Sequence, residues 1–242
     1  MGKAADKRPF EWVLDLLAVL FPLSEIGKQF ILTSYYGFYV WWYFPFQLCS
    51  MPLYLLPLRQ LLVRREDSSG KCSRAVTALS DFLADFCLLG GIFVFFDQSG
   101  MHYAVPILTV HSYAWHLSMI FLGCFLILSG RHSGGYLSDS DSGGSPVQFL
   151  KGSMMSYAPA ALLLLGFAAV AECINALCHT FGSINMFYIS PWEPVTQVVF
   201  CDIADRIGVL PEILLYLGCL LLGGLLFHMT GCLLTQKCLH SR

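Results

Sequence analysis

The stretch "YFPFQLCSMPLYLLPL", residues 43–58, carries the strongest indication of the fold. It is apolar enough to lie in lipid, yet it holds three prolines, and Gln47 and Cys49 stand between Pro45 and Pro52. A proline removes one backbone donor and frees the carbonyl about four residues earlier. In a membrane such backbone persists only where it is buried in protein or lines a cavity. The stretch therefore predicts a broken membrane span around a polar interior.

The composition of the whole chain also indicates a membrane protein. Of its 242 residues 56% are hydrophobic and only 12% are charged, whereas a soluble domain carries about a quarter charged residues. The net charge of −2 gives no reason to expect a nucleic-acid partner. The predicted fold class is all-α, a polytopic membrane helix bundle that forms one domain over residues 1–242. Its six apolar runs, each long enough at about 20 residues to cross a bilayer, are 10–32, 38–58, 75–96, 105–128, 155–180 and 209–235.

The basic residues predict the orientation of the bundle. If six spans are drawn, 12 of the 14 lysines and arginines fall on one side, which the positive-inside rule identifies as the cytoplasm. Both termini and the loops 59–74 and 129–152 are therefore expected there. Within the second loop, the Gly-, Ser- and Asp-rich segment 129–148 is expected to be mobile. The host membrane would be the cell membrane in a bacterium, or an internal membrane in a eukaryote.

The cysteines predict neither disulfides nor a metal site. Several of the ten lie inside apolar runs, where a free cysteine behaves as a small hydrophobe; among these are Cys87, Cys124, Cys173, Cys219 and Cys232. The sequence contains no Cys-x-x-Cys pair and no cysteine–histidine spacing typical of a zinc site. We therefore expect no metal and no cofactor.

Polar residues recur at helical spacing near the outer ends of two spans. Glu25 and Lys28 are three residues apart, which favours a local ion pair, with a functional Glu25 as the alternative. Glu172, Asn175 and His179 form one stripe on the fifth span. The stripe suits a hydrogen-bond network between helices, or a binding site. A metal site from Glu172 and His179 is disfavoured because they are two turns apart.

A thiol and an imidazole are predicted at similar depth. Cys49 and His116 each lie about 11 residues from the outer end of an inward-running span, which puts both near mid-membrane at about 1.5 Å per residue. Such a pair suits a nucleophile and its general base. A thiol in apolar surroundings needs a base of this kind, because only the thiolate is reactive. The alternative for His116 is a core histidine hydrogen-bonded to a neighbouring helix.

Four segments resemble motifs of the YwaF-like integral membrane proteins of bacteria and of their animal relatives, the transmembrane protein 164 family. The resemblance spans about residues 11–235 and rests on Glu25-Ile26-Gly27, Pro45-Phe46-Gln47-Leu48-Cys49, His116 and Asn185-Met186. In the animal motif the reactive cysteine directly follows the proline, at the place of Phe46 here. Bacterial members tend to carry a cysteine at the place of Cys49. Gln47 stands where a histidine is common.

The resemblance implies a cysteine acyltransferase that moves fatty acyl chains between membrane phospholipids. Cys49 would be acylated with His116 as its base, and Gln47 or Asn185 would stabilise the oxyanion. The remaining candidates for substrate binding are Glu25, Glu172, Asn175 and His179. The alternative is a non-enzymatic carrier or lipid-binding protein, with the broken second span as its binding site. A carrier of this length would need to assemble as a homo-oligomer, and the sequence shows no internal repeat.

Overall fold

The computed structural model describes residues 10–65, 74–133 and 146–240, and all regular structure within these ranges is helical. The seven α-helices of the described ranges are α1 (Glu11–Tyr36), α2 (Pro52–Arg65), α3 (Arg74–Phe93), α4 (Pro106–Leu128), α5 (Pro146–Cys178), α6 (Phe200–Ile207) and α7 (Val209–His240). Helices α1, α3, α4, α5 and α7 are long and apolar enough to cross a membrane. The predicted all-α, multi-pass membrane fold is confirmed. Residues 134–145 of the expected mobile loop lie outside the described part of the chain.

The predicted second span, 38–58, is not one continuous helix. Short 3₁₀ turns at Trp41–Tyr43 and Leu48–Ser50 occupy its first half, and α2 begins only at Pro52. Helix α2 has 14 residues, and at 1.5 Å per residue it is about 21 Å long. A bilayer core is about 30 Å thick, so α2 alone does not span it.

The whole segment nevertheless runs antiparallel to α1 from end to end. Near the end of α1, Gln29 Nε2 donates to the Tyr43 carbonyl oxygen at 2.7 Å. At the start of α1, Arg59 of α2 donates to Glu11 at 2.7 Å. The chain therefore returns beside α1 as irregular backbone followed by a short helix, which is the broken geometry that Pro45 and Pro52 predict.

Helix α3 is the centre of the bundle. It contacts α2, α4, α5 and α7, and every residue from Leu79 to Leu89 is buried. Glycines on the neighbours allow this close approach, since a Cβ on Gly123 of α4 would lie 2.9 Å from the Ala84 carbonyl oxygen. Small residues at contacts between helices are the usual way that membrane helices associate. Any polar side chain that α3 carries in this stretch therefore lies in the interior.

Contacts at the two ends agree with the antiparallel order predicted from the sequence. At one end Glu11 forms ion pairs with Arg59 and Arg131, both at 2.7 Å. At the other end the Asp97 carboxylate accepts a hydrogen bond from the Val198 amide at 3.0 Å. The start of α1 and the ends of α2 and α4 thus share one end, here called the inner end. The basic residues predict that this end faces the cytoplasm.

Candidate functional site

The outer site surrounds the irregular backbone between α1 and α2. Cys49 lies in the Leu48–Ser50 turn and carries a free thiol on a partly exposed residue. Its carbonyl oxygen accepts a hydrogen bond from Trp115 Nε1 at 3.0 Å. Trp115 directly precedes His116, so the turn of α4 that carries His116 lies beside the Cys49 segment. The Trp115 side chain thus links α4 to the Cys49 turn, and the pairing of Cys49 with His116 stays a prediction.

The hydrogen bonding of His116 determines which of its ring nitrogens can act as a base. His116 is buried, and its Nδ1 lies 2.8 Å from the Ser112 carbonyl oxygen one turn earlier on α4. A carbonyl oxygen can only accept, so Nδ1 carries the hydrogen. In the neutral imidazole the other nitrogen, Nε2, then holds the lone pair. Nε2 is the nitrogen available to take a proton.

Gln47 and Asn185 meet across the outer half of the bundle. Gln47 Nε2 donates to the Asn185 carbonyl oxygen at 2.7 Å, and Asn185 Oδ1 accepts from the Ser190 amide at 2.9 Å. Within the described residues, the buried atoms Asn185 Nδ2 and Gln47 Oε1 have no hydrogen-bond partner. A buried polar atom left unsatisfied costs about 1–3 kcal/mol. Asn185 thus has an uncommitted side-chain amide donor, and its backbone carbonyl binds Gln47, two residues before Cys49 in the sequence.

The loop that carries Asn185 is held in place by Asn175. Asn175 Oδ1 accepts from the Met186 amide at 2.7 Å, and its Nδ2 donates to the Met186 carbonyl oxygen at 3.1 Å. The next two residues, Phe187 and Tyr188, have left-handed backbone angles, with φ of 57° and 58°. Such angles cost residues with a Cβ about 1–3 kcal/mol each, and they persist where the surroundings enforce them. Asn175 therefore fixes the Asn185 loop.

Two other predicted residues are engaged elsewhere on the outer half. Glu25 is buried, with Lys28 Nζ at 2.9 Å and Gln29 Nε2 at 2.7 Å from its Oε1. This is the local ion pair that the three-residue spacing predicts. The half-buried His179 ring stacks on Trp192 with its centroid at 4.8 Å. The structure thus brings Gln47, Asn175 and Asn185 together, and leaves Glu25 and His179 in contacts of their own.

Glu172 borders an apolar cleft between α5 and α7. The cleft has a volume of about 350 Å³, and Leu165, Ile189 and Leu217 are among its walls. Asn175 Nδ2 donates to Glu172 at 3.3 Å, which links the cleft to the Asn185 loop. Among the described residues that form the cleft wall, Glu172 is the one charged side chain, so the cleft is suited to an apolar chain with a polar group at its edge.

A second polar site lies in the inner half of the bundle. Asp81 and Asp85 of α3, His132 after α4, and His228 of α7 are each no more than 1% exposed. Asp85 bridges the two histidines, with Oδ1 at 3.1 Å from His132 Nε2 and Oδ2 at 2.8 Å from His228 Nδ1. Asp81 Oδ1 is 3.8 Å from His132 Nε2. Cys232, one turn after His228, is within hydrogen-bond reach of both imidazoles. These five residues are called the inner cluster below.

The inner cluster is hydrogen-bonded to the groups around it. Both oxygens of Asp81 accept from Ser133, one from its hydroxyl and the other from its amide at 2.8 Å. His228 Nε2 lies 2.8 Å from Ser156 Oγ. Burial disfavours a charged His132, but its hydrogen bond with Asp85 and the charges of the two carboxylates outweigh burial and raise the pKa of His132 to about 10. The cluster therefore attracts positive charge.

The members of the inner cluster are far apart along the chain, and for this reason the sequence did not predict it as a site. Asp85 is 47 residues from His132 and 143 residues from His228. One local signal was available, since Asp81 with Asp85 and His228 with Cys232 are both spaced by four residues. That spacing puts two ligand-type side chains on one helix face within an apolar run.

Protein-family models, curated proteins and solved structures were all compared with this chain, and none matches it.

Proposed function

We propose that this multi-pass membrane protein is a cysteine-dependent acyltransferase that moves fatty acyl chains between phospholipids. The observation that carries the proposal is the position of Cys49, a free thiol on irregular backbone that is hydrogen-bonded to Trp115, the residue before His116 on α4. The motif resemblance described above implies the same reaction. Membrane phospholipids would be both donor and acceptor, since the site lies among helices that are apolar enough to cross a bilayer.

The reaction begins with proton transfer from Cys49 to His116 Nε2. The thiolate attacks the ester carbonyl carbon of a phospholipid and forms a tetrahedral adduct. Its collapse breaks the ester bond, and His116 returns the proton to the departing lysophospholipid hydroxyl. The acyl group is then a thioester on Cys49. A second lysophospholipid hydroxyl gives its proton to His116, attacks the thioester and regenerates the thiol, so that each step balances without a further reactant.

The amide of Asn185 is the group best suited to stabilise the oxyanion. Its buried Nδ2 is uncommitted among the described residues, whereas the Nε2 of Gln47 already binds the Asn185 carbonyl. A single oxyanion donor typically contributes about 2.7–4 kcal/mol to the transition state. Gln47 and Asn175 would then be positioning residues that hold the Asn185 loop against the Cys49 turn.

Labelling and transfer assays test this assignment on the purified protein in phospholipid micelles. A lipid-like electrophilic probe should label Cys49, and Cys49→Ala should abolish both the labelling and acyl transfer. His116→Ala should slow transfer by roughly 10²–10⁴-fold, the range for loss of a general base. Cys87→Ala is the matched control, because Cys87 is equally a free cysteine but lies in the packed core of α3. It should leave labelling and transfer unchanged.

A carrier or lipid-binding protein is the second candidate, favoured by the buried ion pair of Glu25 and Lys28. Charges at membrane depth often mark transport paths. A carrier should tolerate Cys49→Ala in an uptake assay and lose function with Glu25→Gln or Glu172→Gln. Retained acyl transfer in Cys49→Ala would rule out the cysteine mechanism.

A further inference from the structure

We propose that the inner cluster is a binding site for one divalent transition-metal ion of the zinc class. Asp81, His132 and His228 each offer a ligand atom, and these atoms lie within 4.8 Å of one another. Asp85 contacts both imidazoles and completes the set. The site is independent of the outer cysteine chemistry, and it places an ion where the sequence predicted none.

The spacing of the donor atoms fits a single ion. Ligands at about 2.1 Å from a tetrahedral zinc lie about 3.4 Å from one another. The distances from the Asp81 and Asp85 oxygens to the nearest imidazole nitrogens range from 2.8 to 3.8 Å. These separations lie within about 0.6 Å of the tetrahedral value, so small side-chain shifts would bring the donors to a shared ion.

The hydrogen bonds of Ser156 engage Nε2 of His228, so Nδ1 is the ring nitrogen that can bind an ion. Ser156 Oγ donates its hydrogen to the Ser153 carbonyl oxygen at 3.0 Å. It must then accept from His228 Nε2, which lies 2.8 Å away and therefore carries a hydrogen. In the neutral ring Nδ1 is a lone pair, and it lies 2.8 Å from an Asp85 oxygen. This contact is a hydrogen bond when Nδ1 carries a proton, and a bound ion would replace that proton.

The same geometry argues against a Ser156–His228–Asp85 catalytic relay. In such a relay the serine donates to Nε2 and the histidine is the acceptor. Here the hydroxyl hydrogen of Ser156 is directed to the Ser153 carbonyl of its own helix. Ser156 is therefore an orienting partner for His228, of the kind that metal-bound histidines have.

The charge and the donor types specify the class of ion. Asp81 and Asp85 bring two negative charges into the protein interior, where they must be compensated. Without an ion, protonated imidazoles supply the compensating charge, and one divalent ion supplies it when it displaces their protons and leaves both rings neutral and ligating. Imidazole nitrogen with carboxylate oxygen, and the Cys232 thiol within reach, favour zinc and related transition metals over magnesium or calcium.

The surroundings of the cluster are shaped to hold its ligands. A Cβ on Gly231 of α7 would lie 3.0 Å from His132 Cε1 and 3.3 Å from its Nδ1, so the glycine makes room for this ring. Ser133 fixes both oxygens of Asp81. The ion would thus join α3, α7 and the end of α4, which are three separate parts of the chain.

Metal analysis of the full-length protein tests the proposal directly. The chain is purified in detergent, stripped with a chelator, and titrated with zinc chloride while binding is followed by calorimetry and elemental analysis. We expect one zinc per chain and a higher unfolding temperature with zinc than without. Cobalt(II) in place of zinc should give the absorption bands of a tetrahedral or five-coordinate site.

Matched substitutions locate the ion. His228→Gln should abolish stoichiometric binding, whereas His102→Gln, at an exposed histidine near the outer end, should leave it unchanged. Ser156→Ala retains every ligand and should weaken binding by about 10–100-fold, the usual effect of losing an orienting partner. Ser156→Ala keeps the test informative if His228→Gln does not fold.

Two outcomes would overturn the proposal. A folded wild-type protein that binds no zinc and unfolds at the same temperature with and without it would show the cluster to be a purely protonic hydrogen-bond network. Zinc binding that survives His228→Gln, or that is equally tight in wild type and Ser156→Ala, would place the ion elsewhere. Both readouts are independent of acyl transfer, so they separate this proposal from the function assigned to Cys49.

Discussion

At the scale of single residues, one carboxylate secures the inner end of the bundle. Glu11 Oε1 lies 2.7 Å from Arg59 Nη1, and its Oε2 lies 2.7 Å from Arg131 Nη2. The side chains of all three residues are 10% exposed or less. Charges that leave water carry a desolvation cost, which close pairing offsets. Glu11 therefore connects the start of α1 to the middle of α2 and to the residues that follow α4.

Replacing this carboxylate tests its contribution to stability. Glu11→Gln should lower the free energy of unfolding by roughly 3–5 kcal/mol, the range for breaking a buried ion pair. The control is Asp15→Asn, since Asp15 pairs with Arg64 at 2.9 Å but the two side chains are 37% and 65% exposed. An exposed pair contributes about 0–1 kcal/mol. Chemical unfolding in detergent measures the free energy of unfolding of both variants. Equal decreases in the two would contradict the stabilising role of Glu11.

Residue contacts could be predicted from the sequence only where they are local. The pairing of Glu25 with Lys28 follows from three-residue spacing on one helix, and the 2.9 Å contact confirms it. Glu11 and Arg59 are 48 residues apart, and Asp85 and His228 are 143 apart. Contacts of this kind depend on which helices are neighbours and how each is rotated. Hydropathy and spacing do not encode either property, so the inner cluster was missed.

At the scale of elements, the packing of α3 on α4 depends on a glycine at the contact. Gly123 of α4 is buried against α3, and a Cβ there would lie 2.9 Å from the Ala84 carbonyl oxygen and 2.6 Å from Leu88 Cγ. The Leu88 side chain can turn away, but the Ala84 oxygen belongs to the backbone. An added methyl would therefore force the two helices apart.

Gly123→Ala should accordingly destabilise the bundle by about 1–3 kcal/mol, the usual cost of overpacking a core. Gly166→Ala is the matched control, because a Cβ at Gly166 of α5 meets nothing within 4 Å. Alanine favours the helix over glycine by about 1 kcal/mol, so this control should be neutral or stabilising. The two unfolding temperatures in detergent should move in opposite directions. A neutral Gly123→Ala would show that α3 and α4 are less closely packed than the structure indicates.

Element boundaries could be predicted from the sequence where prolines mark them. Pro45 and Pro52 predict a break in the second span, and α2 starts at Pro52 because proline suits the first turn of a helix. The prolines do not reveal that the first half of the segment forms 3₁₀ turns instead of another helix. That outcome depends on tertiary contacts, such as the bond from Trp115 to the Cys49 carbonyl.

At the scale of the whole molecule, the two polar sites occupy opposite halves of one bundle. The outer site lies around Cys49 and Asn185, and the inner cluster lies beside Arg131, the residue before His132. Helix α3 carries the two aspartates of the inner cluster. The residues that follow them towards the outer end, up to Leu89, are also buried. A reaction at Cys49 and an ion at Asp85 would therefore serve different ends of the molecule, with the ion stabilising the inner half.

This arrangement leads to a prediction about topology. His132 and Ser133 are anchored to α3 at the inner end, so the chain that follows them should emerge on that side. The basic residues assign this side to the cytoplasm. With the protein in the cell membrane, an epitope inserted within 134–145 should be detected only after the membrane is permeabilised, and one inserted within 97–100 should be detected on intact cells. Exposure of both epitopes on one face would contradict the antiparallel order of α3 and α4 in the membrane. If instead the 134–145 epitope is detected on intact cells and the 97–100 epitope only after permeabilisation, the fold is unaffected but the orientation is the reverse of the one that the lysines and arginines predict.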